Sequence, residues 1–148
     1  MENVHELIRI LVRRVRLMNA SCCENCCGAG VSLVQGNIMF EIERRENPAM
    51  QQVAEALGMD NTTFSRQIKT LENKGLVKKS PDSEDRRVNV LALTPKGKKA
   101  IDQIDLHMNQ YLEQLFFSLT EFEQEAVISS IKVLNKALFK SGICCNKK

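Results

Sequence analysis

Apolar side chains recur every three or four residues in four stretches of the chain, and this spacing places them on one face of an α-helix. The stretches are residues 2–19, residues 31–46, a long segment that starts at Thr94-Pro95, and a last segment that opens at Thr120. Threonine is a good N-cap, and Glu123, three residues after Thr120, completes a capping-box pattern. The pattern therefore predicts amphipathic helices towards both ends of the chain.

The middle of the chain is predicted to hold two short helices. Asn47-Pro48 supplies an N-cap and a first-turn proline for the first helix, which ends at Gly58. Asp60 or Asn61 caps the second helix, and Gly75 ends it. The tight connection between the two helices is the first sign of a helix-turn-helix unit.

A two-stranded hairpin is predicted to follow these helices. Residues 76–79 and 88–93 have strand-like composition, and the polar, turn-rich residues 80–87 join them. Helix, tight turn, helix and hairpin together make the winged helix-turn-helix pattern. In that pattern the second helix is the one that enters the major groove of DNA.

The second short helix has one apolar face and one face suited to DNA. Phe64, Ile68 and Leu71 share the apolar face. The other side carries cations and hydrogen-bonding groups but no carboxylate, and such side chains suit base edges and phosphates. An ordinary surface helix also shows polar residues outward, so this helix alone does not decide between the two readings. The predicted DNA-contacting residues of this helix are Thr62, Thr63, Ser65, Arg66, Lys69 and Asn73.

The predicted hairpin loop adds a second argument for DNA binding. Arg86 and Arg87 follow Asp82 and Asp85 in this loop. An arginine on a protruding hairpin can enter the narrow, negative minor groove. A nearby aspartate can hold the guanidinium through paired hydrogen bonds. We therefore predict that Arg86 or Arg87 contacts the minor groove and that the two aspartates support the wing.

These motifs resemble those of a known family. The blocks TTFSRQIKTLENKGLV, DSEDRR and LALTPKG are similar to the winged helix of MarR-type transcriptional regulators, and the resemblance covers about residues 31–100. It implies a mainly α fold with a small β-hairpin wing. The implied winged helix-turn-helix DNA-binding domain spans residues 31–96, and residues 1–30 and 97–148 form the implied helical dimerisation region.

The resemblance also implies partners and a mode of action. It implies a homodimer that binds a pseudo-palindromic operator in double-stranded DNA, with one recognition helix in each half-site. Members of the family usually repress transcription, and they release DNA when a small effector molecule or ion, or an oxidant, changes the spacing of the two winged helices. The apolar faces of the terminal helices support a dimer independently, because the winged helix alone is too small to cover them.

Composition narrows the class of protein. The 148 residues suffice for about one domain, and the net charge of +3 permits a nucleic acid partner without requiring one. No apolar run approaches the length of a membrane span, and the N-terminal stretch is amphipathic and unlike a signal peptide. Gly28-Ala29-Gly30 is too little for a nucleotide loop, and neither His5 nor His107 has an acidic partner in a recognisable catalytic motif. We therefore expect a cytoplasmic protein that is not an enzyme and has no membrane partner.

A cluster of cysteines stands outside the DNA-binding motifs. Cytosolic thiols are kept reduced, so clustered cysteines favour metal binding or redox chemistry over a disulfide framework. Cys23-x-x-Cys26 has the spacing with which a short loop binds a thiophilic ion. The candidate ions are arsenite, Cu(I), Cd(II) and Zn(II), with an iron–sulfur cluster as a further option. The candidate ligands lie in a Cys-rich loop over residues 22–27 and in the C-terminal tail: Cys22, Cys23, Cys26, Cys27, Cys144 and Cys145.

Other interpretations of the cysteines stay open. His107 is a weaker candidate ligand, and an ordinary solvent-facing or hydrogen-bonded histidine explains it more simply. A redox switch is the main alternative, in which Cys23 and Cys26 form a disulfide. The thiols could also be incidental to a phenolic ligand of the kind common in the family, or act as small buried apolar groups. In a different class of function, the chain would be a metal-storage or thiol-transfer protein that uses its winged helix for protein contacts.

Overall fold

The computed structural model describes residues 3–25 and 30–142, and for residues 22–25 it describes the backbone alone. Helices and a single hairpin account for the elements in these two segments, so the predicted fold class, mainly α with a small β-hairpin, is confirmed. In chain order the elements are α1 (Val4–Asn25), α2 (Leu33–Arg45), α3 (Met50–Ala56), α4 (Asn61–Asn73), β1 (Val77–Pro81), β2 (Asn89–Leu93), α5 (Pro95–Phe117) and α6 (Glu121–Ser141).

Local capping chemistry starts three of the helices where the sequence predicts. The Asp60 carboxylate accepts the Thr63 N–H at 2.8 Å at the start of α4. The Thr94 hydroxyl accepts the Gly97 N–H at 3.0 Å at the start of α5. Thr120 and Glu123 form the predicted capping box at the start of α6. Each cap satisfies a backbone N–H that has no partner within its own helix.

Helix α1 is longer than the sequence predicts. It runs to Asn25, so Cys22 and Cys23 belong to its last turn and not to a loop over residues 22–27. No glycine or proline precedes Gly28 in this stretch, and cysteine opposes helix formation only weakly. Nothing therefore stops the helix at the predicted end near residue 19. The other four cysteines lie outside the described residues.

Helix α3 starts later than predicted, because the two residues before it are used in strand-like pairing. The predicted cap Asn47 has a positive φ of 52° and lies before the helix. Pro48 is buried, and its carbonyl accepts the Leu91 N–H at 2.9 Å. Ala49 forms a β-bridge with Val90 and is the N-cap of α3. Proline lacks an N–H but can still accept at the edge of a sheet, which is the use made of Pro48 here.

The hydrophobic core lies between α2, α3, α4, the start of α5 and the hairpin. Strands β1 and β2 pair antiparallel, with Val77 opposite Leu93 and Pro81 opposite Asn89. Helix α1 packs against α2 and α5. The largest fully buried side chains are Val31, Ile38, Met39, Ile42, Val53, Phe64, Ile68, Leu71, Leu76, Leu91 and Ile101.

The two terminal helices leave apolar faces uncovered in the single chain. None of the residues of α6 is buried, although its sequence has a regular apolar face. Helix α1 likewise exposes large apolar side chains over most of its length. The exposed residues at helical spacing include Val4, Leu7, Leu11, Val15, Val127, Ile131, Leu134 and Leu138. A contiguous apolar surface of this kind marks an association site.

A close backbone contact joins the end of α4 to the start of α5. The Thr94 N–H donates to the Leu76 carbonyl at 3.1 Å, and the Thr94 hydroxyl donates to the Gly75 carbonyl at 2.6 Å. Gly97 faces the same carbonyl so closely that a Cβ atom built there would lie 1.9 Å from the Leu76 oxygen. We call residues 74–76 together with residues 94–97 the α4–α5 junction. It requires glycine at position 97.

Gly97→Ala should therefore destabilise the protein, although alanine is the better helix former. The methyl group would meet a backbone carbonyl, which cannot move without shifting the strand that follows it. We expect a loss of about 1–3 kcal/mol in the free energy of unfolding, measured by denaturant titration. Lys99→Ala, on the exposed side of the same helix, is the control and should change stability by less than about 0.5 kcal/mol. A Gly97→Ala variant as stable as the parent would contradict the contact.

Candidate DNA-binding surface

Helix α4 presents one face to the core and the other to solvent. Phe64, Ile68 and Leu71 are almost completely buried against the rest of the domain. All six residues predicted to contact DNA are exposed on the opposite side: Thr62, Thr63, Ser65, Arg66, Lys69 and Asn73. The exposed face thus offers two cations, three hydroxyls and an amide to a partner. Because it carries no carboxylate, it does not repel phosphate.

The tip of the hairpin is a tight turn shaped by its own backbone and by Asp82. The Asp82 N–H donates to the Val88 carbonyl at 2.8 Å, and the Val88 N–H donates to the Asp85 carbonyl at 2.9 Å. The Asp82 carboxylate accepts the Asp85 N–H at 3.3 Å. Asp82 therefore holds the turn, and among the described residues it forms no hydrogen bond or ion pair with an arginine.

Asp85 holds the Arg87 guanidinium in a paired arrangement. Arg87 Nε and Nη2 donate to the two carboxylate oxygens at 3.1 and 3.3 Å, and the Arg87 backbone N–H donates to Oδ1 at 3.1 Å. The side-chain bonds and then the backbone bond from Arg87 lower the pKa of Asp85, so the carboxylate stays charged at neutral pH. The Arg87 side chain is nevertheless 90% exposed, so it projects from the tip. Arg86, beside it, is also exposed.

A polar network lies behind α4, on the side away from the exposed face. Gln35 Oε1 accepts a hydrogen bond from the Lys74 ammonium at 3.0 Å. Gln35 Nε2 donates a hydrogen bond to Gln67 Oε1 at 3.1 Å. Lys74 Nζ also donates to the Gly30 carbonyl at 2.5 Å, and the Ser32 N–H donates to Gln35 Oε1 at 3.3 Å. We call these five residues the Gln35 network.

The Gln35 network was not predicted from the sequence. One signal was available: Gln35 falls four residues after Val31 and three before Ile38, so a polar residue stands on the apolar face of α2. Its partners could not be read from the pattern, because Gln67 and Lys74 are more than thirty residues away along the chain.

A cavity of about 200 Å³ lies between α1, α2 and α5. Asn19, Phe40 and Met108 are among the residues that line it, and Asp105 lies at its wall. Partial burial, followed by repulsion from Glu43 and Asp102, raises the pKa of Asp105. Asn19 precedes Cys22 and Cys23 by about one helical turn, so the cysteine-bearing end of α1 lies close to this cavity.

The six candidate metal-binding cysteines have their side chains outside the residues that the structure describes, so their arrangement stays a prediction. No group of three histidine, cysteine, aspartate or glutamate side chains within the described residues is placed to hold a metal ion. The side chains of Cys22 and Cys23, and the whole of Cys26, Cys27, Cys144 and Cys145, lie outside those residues. His107 Nδ1 lies 2.8 Å from the Gln103 carbonyl of its own helix.

The exposed face of α4, the arginine-tipped hairpin and the helix-turn-helix connection define a winged helix-turn-helix protein. The family model described as MarR family matches residues 31–88. Over its DNA-binding region the chain is therefore similar to the MarR family of helix-turn-helix transcriptional regulators, which bind DNA. Members of this family are regulators and not enzymes, which agrees with the lack of an enzyme motif in the sequence. No helix in the described segments is both long and apolar enough to cross a membrane.

Similar proteins and structures agree with this assignment. The chain is 28% identical over 108 residues to the uncharacterized HTH-type transcriptional regulator YybA of Bacillus subtilis, with 72% of each chain covered. It is 26% identical over 136 residues to the HTH-type transcriptional regulator PrsX of Escherichia coli, with 90% of this chain and 80% of PrsX covered. The crystal structure of Streptococcus pneumoniae FabT in complex with DNA has the same fold. Its TM-score is 0.82 at 19% identity, with 93% of this chain and 96% of that chain covered.

Proposed function

We propose that this chain is a cytoplasmic, homodimeric repressor that reads a pseudo-palindromic operator, with residues 31–96 as its DNA-binding domain. The observation that carries the proposal is the exposed face of α4, which is cationic, rich in hydrogen-bonding groups and free of carboxylates. The exposed Arg87 at the hairpin tip extends the same surface. The chain also has the fold of Streptococcus pneumoniae FabT, whose crystal structure is a complex with DNA, and this likeness supports the proposal.

Each part of this surface has a role that follows from its chemistry. Arg66 is suited to the paired acceptors on a guanine edge, and Lys69 to a phosphate or a guanine. Thr62, Thr63, Ser65 and Asn73 supply shorter hydrogen bonds that fix the register of the helix on the duplex. Arg87 enters the minor groove beside the major-groove site, and Arg86 lies next to it. Because Asp85 already holds the Arg87 side chain, less rotamer entropy is lost on binding.

The dimer is supported by the uncovered faces of α1 and α6. A helix of 21 residues with no buried residue gains little stability from its own chain, so its apolar face needs a second copy. Two copies related by a two-fold axis present two α4 helices, and half-sites about 34 Å apart face the same side of B-DNA. A dimer seated on such a site covers the DNA against other proteins, which is how repression would arise.

Replacing the proposed DNA-contacting arginines tests the assignment. Arg66→Ala and Arg87→Ala should each weaken operator binding by about 1–3 kcal/mol, or about 5- to 150-fold, because each loses charged hydrogen bonds to DNA. The measurement is fluorescence anisotropy with a duplex recovered by selection from random sequences. Lys132→Ala, which removes a charge from the exposed side of α6, is the matched control and should bind like the parent. If both arginine variants keep full affinity and a normal melting temperature, the surface is wrongly assigned.

We further propose that the cysteine stretch makes DNA binding responsive to a thiophilic ion. The support is the sequence Cys-Cys-x-x-Cys-Cys and the position of its first two residues in the last turn of α1, near the cavity between α1, α2 and α5. A ligated ion there would lie between the proposed dimerisation helices and the DNA-binding domain. The alternative is a redox switch, in which oxidation of Cys23 and Cys26 to a disulfide releases DNA.

Thiol chemistry separates these two responses. Under anaerobic, reducing conditions, arsenite or Cd(II) should lower operator affinity at least about tenfold if the ion is the signal, a free-energy change of about 1.4 kcal/mol. Peroxide without metal should act instead if the signal is oxidation. A variant with serine at Cys22, Cys23, Cys26 and Cys27 should lose the response and keep DNA binding, whereas serine at Cys144 and Cys145 tests the tail separately. No response to either reagent in the parent protein would refute both proposals.

A further inference from the structure

Gln35 is a polar side chain in an apolar core. Its relative exposure is 7%. Among the residues that the structure describes, it is the only polar or charged residue that is buried. Burying an amide costs free energy unless its polar atoms are hydrogen-bonded. Both atoms of this amide are: Oε1 accepts from Lys74 and from the Ser32 N–H, and Nε2 donates to Gln67. An apolar residue of similar size would fill the same space without this requirement. The glutamine has two polar roles instead: it forms the capping box of α2 with Ser32, and it bonds two residues of the α4 segment.

Two of its three partners belong to α4. Gln67 lies at the middle of this helix, and Lys74 is its C-cap. The Lys74 ammonium reaches back over the core to Gln35 Oε1 and to the Gly30 carbonyl, which follows the cysteine stretch in the sequence. The Lys74 carbonyl accepts the Lys96 ammonium at 2.9 Å from the start of α5. The C-terminal end of α4 is therefore tied to the segment that leads into α2 and to the α4–α5 junction.

The orientation of Lys74 argues against a simple role as a DNA contact. Its side chain is half-buried, and its two acceptors lie on the core side of α4, whereas the proposed reading face lies on the other side. Both acceptors are neutral oxygens, a backbone carbonyl and an amide. The ammonium thus uses two of its three N–H donors to join the end of α4 to Gly30 and to Gln35 of α2.

A small tilt of α4 about its C-terminal end displaces its N-terminal residues by a much larger distance. With 13 residues, α4 is roughly 20 Å long. A tilt of about 5° about its C-terminal end would move its N-terminal residues by nearly 2 Å, which is enough to break hydrogen bonds to base edges. The buried apolar side chains Phe64, Ile68 and Leu71 hold α4 against the core, and the directed hydrogen bonds of the Gln35 network add a further restraint on its tilt.

We propose that the Gln35 network sets the orientation of α4 for sequence-specific reading, with Gln35 and Lys74 as positioning residues that do not touch DNA. This inference rests on the proposed DNA-binding function. It goes beyond it by assigning specificity to residues behind the reading face. Removing the network should leave a folded protein that binds DNA but no longer distinguishes its operator well.

Gln35→Leu, Lys74→Met and the double variant test the proposal. Operator affinity should fall about tenfold in each single variant, and the double variant should lose little more, because both changes break one network. Affinity of Gln35→Leu for random duplex of the same length should change less than about twofold, since the phosphate contacts remain. Its melting temperature should fall only slightly, because Gln35→Leu also removes the Ser32–Gln35 capping box of α2. Lys132→Met supplies the matched loss of charge on α6 and should change neither affinity.

Amide hydrogen exchange of the free protein gives a readout that needs no DNA. Residues 70–75 should exchange faster in Gln35→Leu than in the parent, while the amides of α6 stay unchanged. Parent-like operator affinity and parent-like exchange in this variant would overturn the inference. A second pattern would also overturn the inference: the losses of operator affinity add in the double variant, and Lys74→Met loses as much affinity for random DNA as for the operator. That pattern identifies Lys74 as a phosphate contact. If the parent protein shows no sequence preference, the proposed function fails, and the exchange measurement still decides whether the network orients α4.

Discussion

The backbone contact between Gly97 and Leu76 is the constraint on which the rest of the proposed DNA-binding surface depends. It places the first turn of α5 directly against the point where the chain leaves α4 and enters β1. The Thr94 bonds to Gly75 and Leu76 close the same junction. Helix α4, the hairpin and α5 all meet there. The contact therefore couples α5 to the elements that we propose to face DNA.

Ion pairs and polar bonds extend this rigid connection to α2. Lys98, in the first turns of α5, pairs with Glu43 of α2 and with Asp102 one turn further along its own helix. The carboxylate of Asp102 and then that of Glu43 raise the pKa of Lys98, so this link remains charged throughout the neutral range. The pair is largely exposed and contributes little stability by itself. The Lys98–Glu43 pair and the Gln35 network together connect α2 to the α4–α5 junction. The cavity between α1, α2 and α5 therefore borders elements that are tied to α4.

Local chemistry explains which parts of the fold could be predicted from the sequence. Asp60, Thr94 and Thr120 cap their helices with neighbouring backbone groups, so a short stretch of sequence contains the whole interaction. The predicted start of α3 at Asn47-Pro48 is wrong because Pro48 and Ala49 pair with residues of β2, about forty positions away. The Gln35 network is non-local in the same way. In the wing, the pattern placed two aspartates near two arginines, but only the geometry shows that Asp85 holds Arg87 whereas Asp82 shapes the turn.

DNA binding by a two-fold dimer is best tested by selecting binding sites from a random-sequence duplex library and then measuring the stoichiometry on the recovered site. We expect a pseudo-palindrome whose half-sites are about one helical turn apart, roughly 34 Å or 10 base pairs, because two α4 helices must face the same side of the duplex. We also expect two chains per duplex and an affinity that falls steeply with salt. Recovery of no preferred sequence, or of a single half-site bound by one chain, would contradict DNA reading by a homodimer.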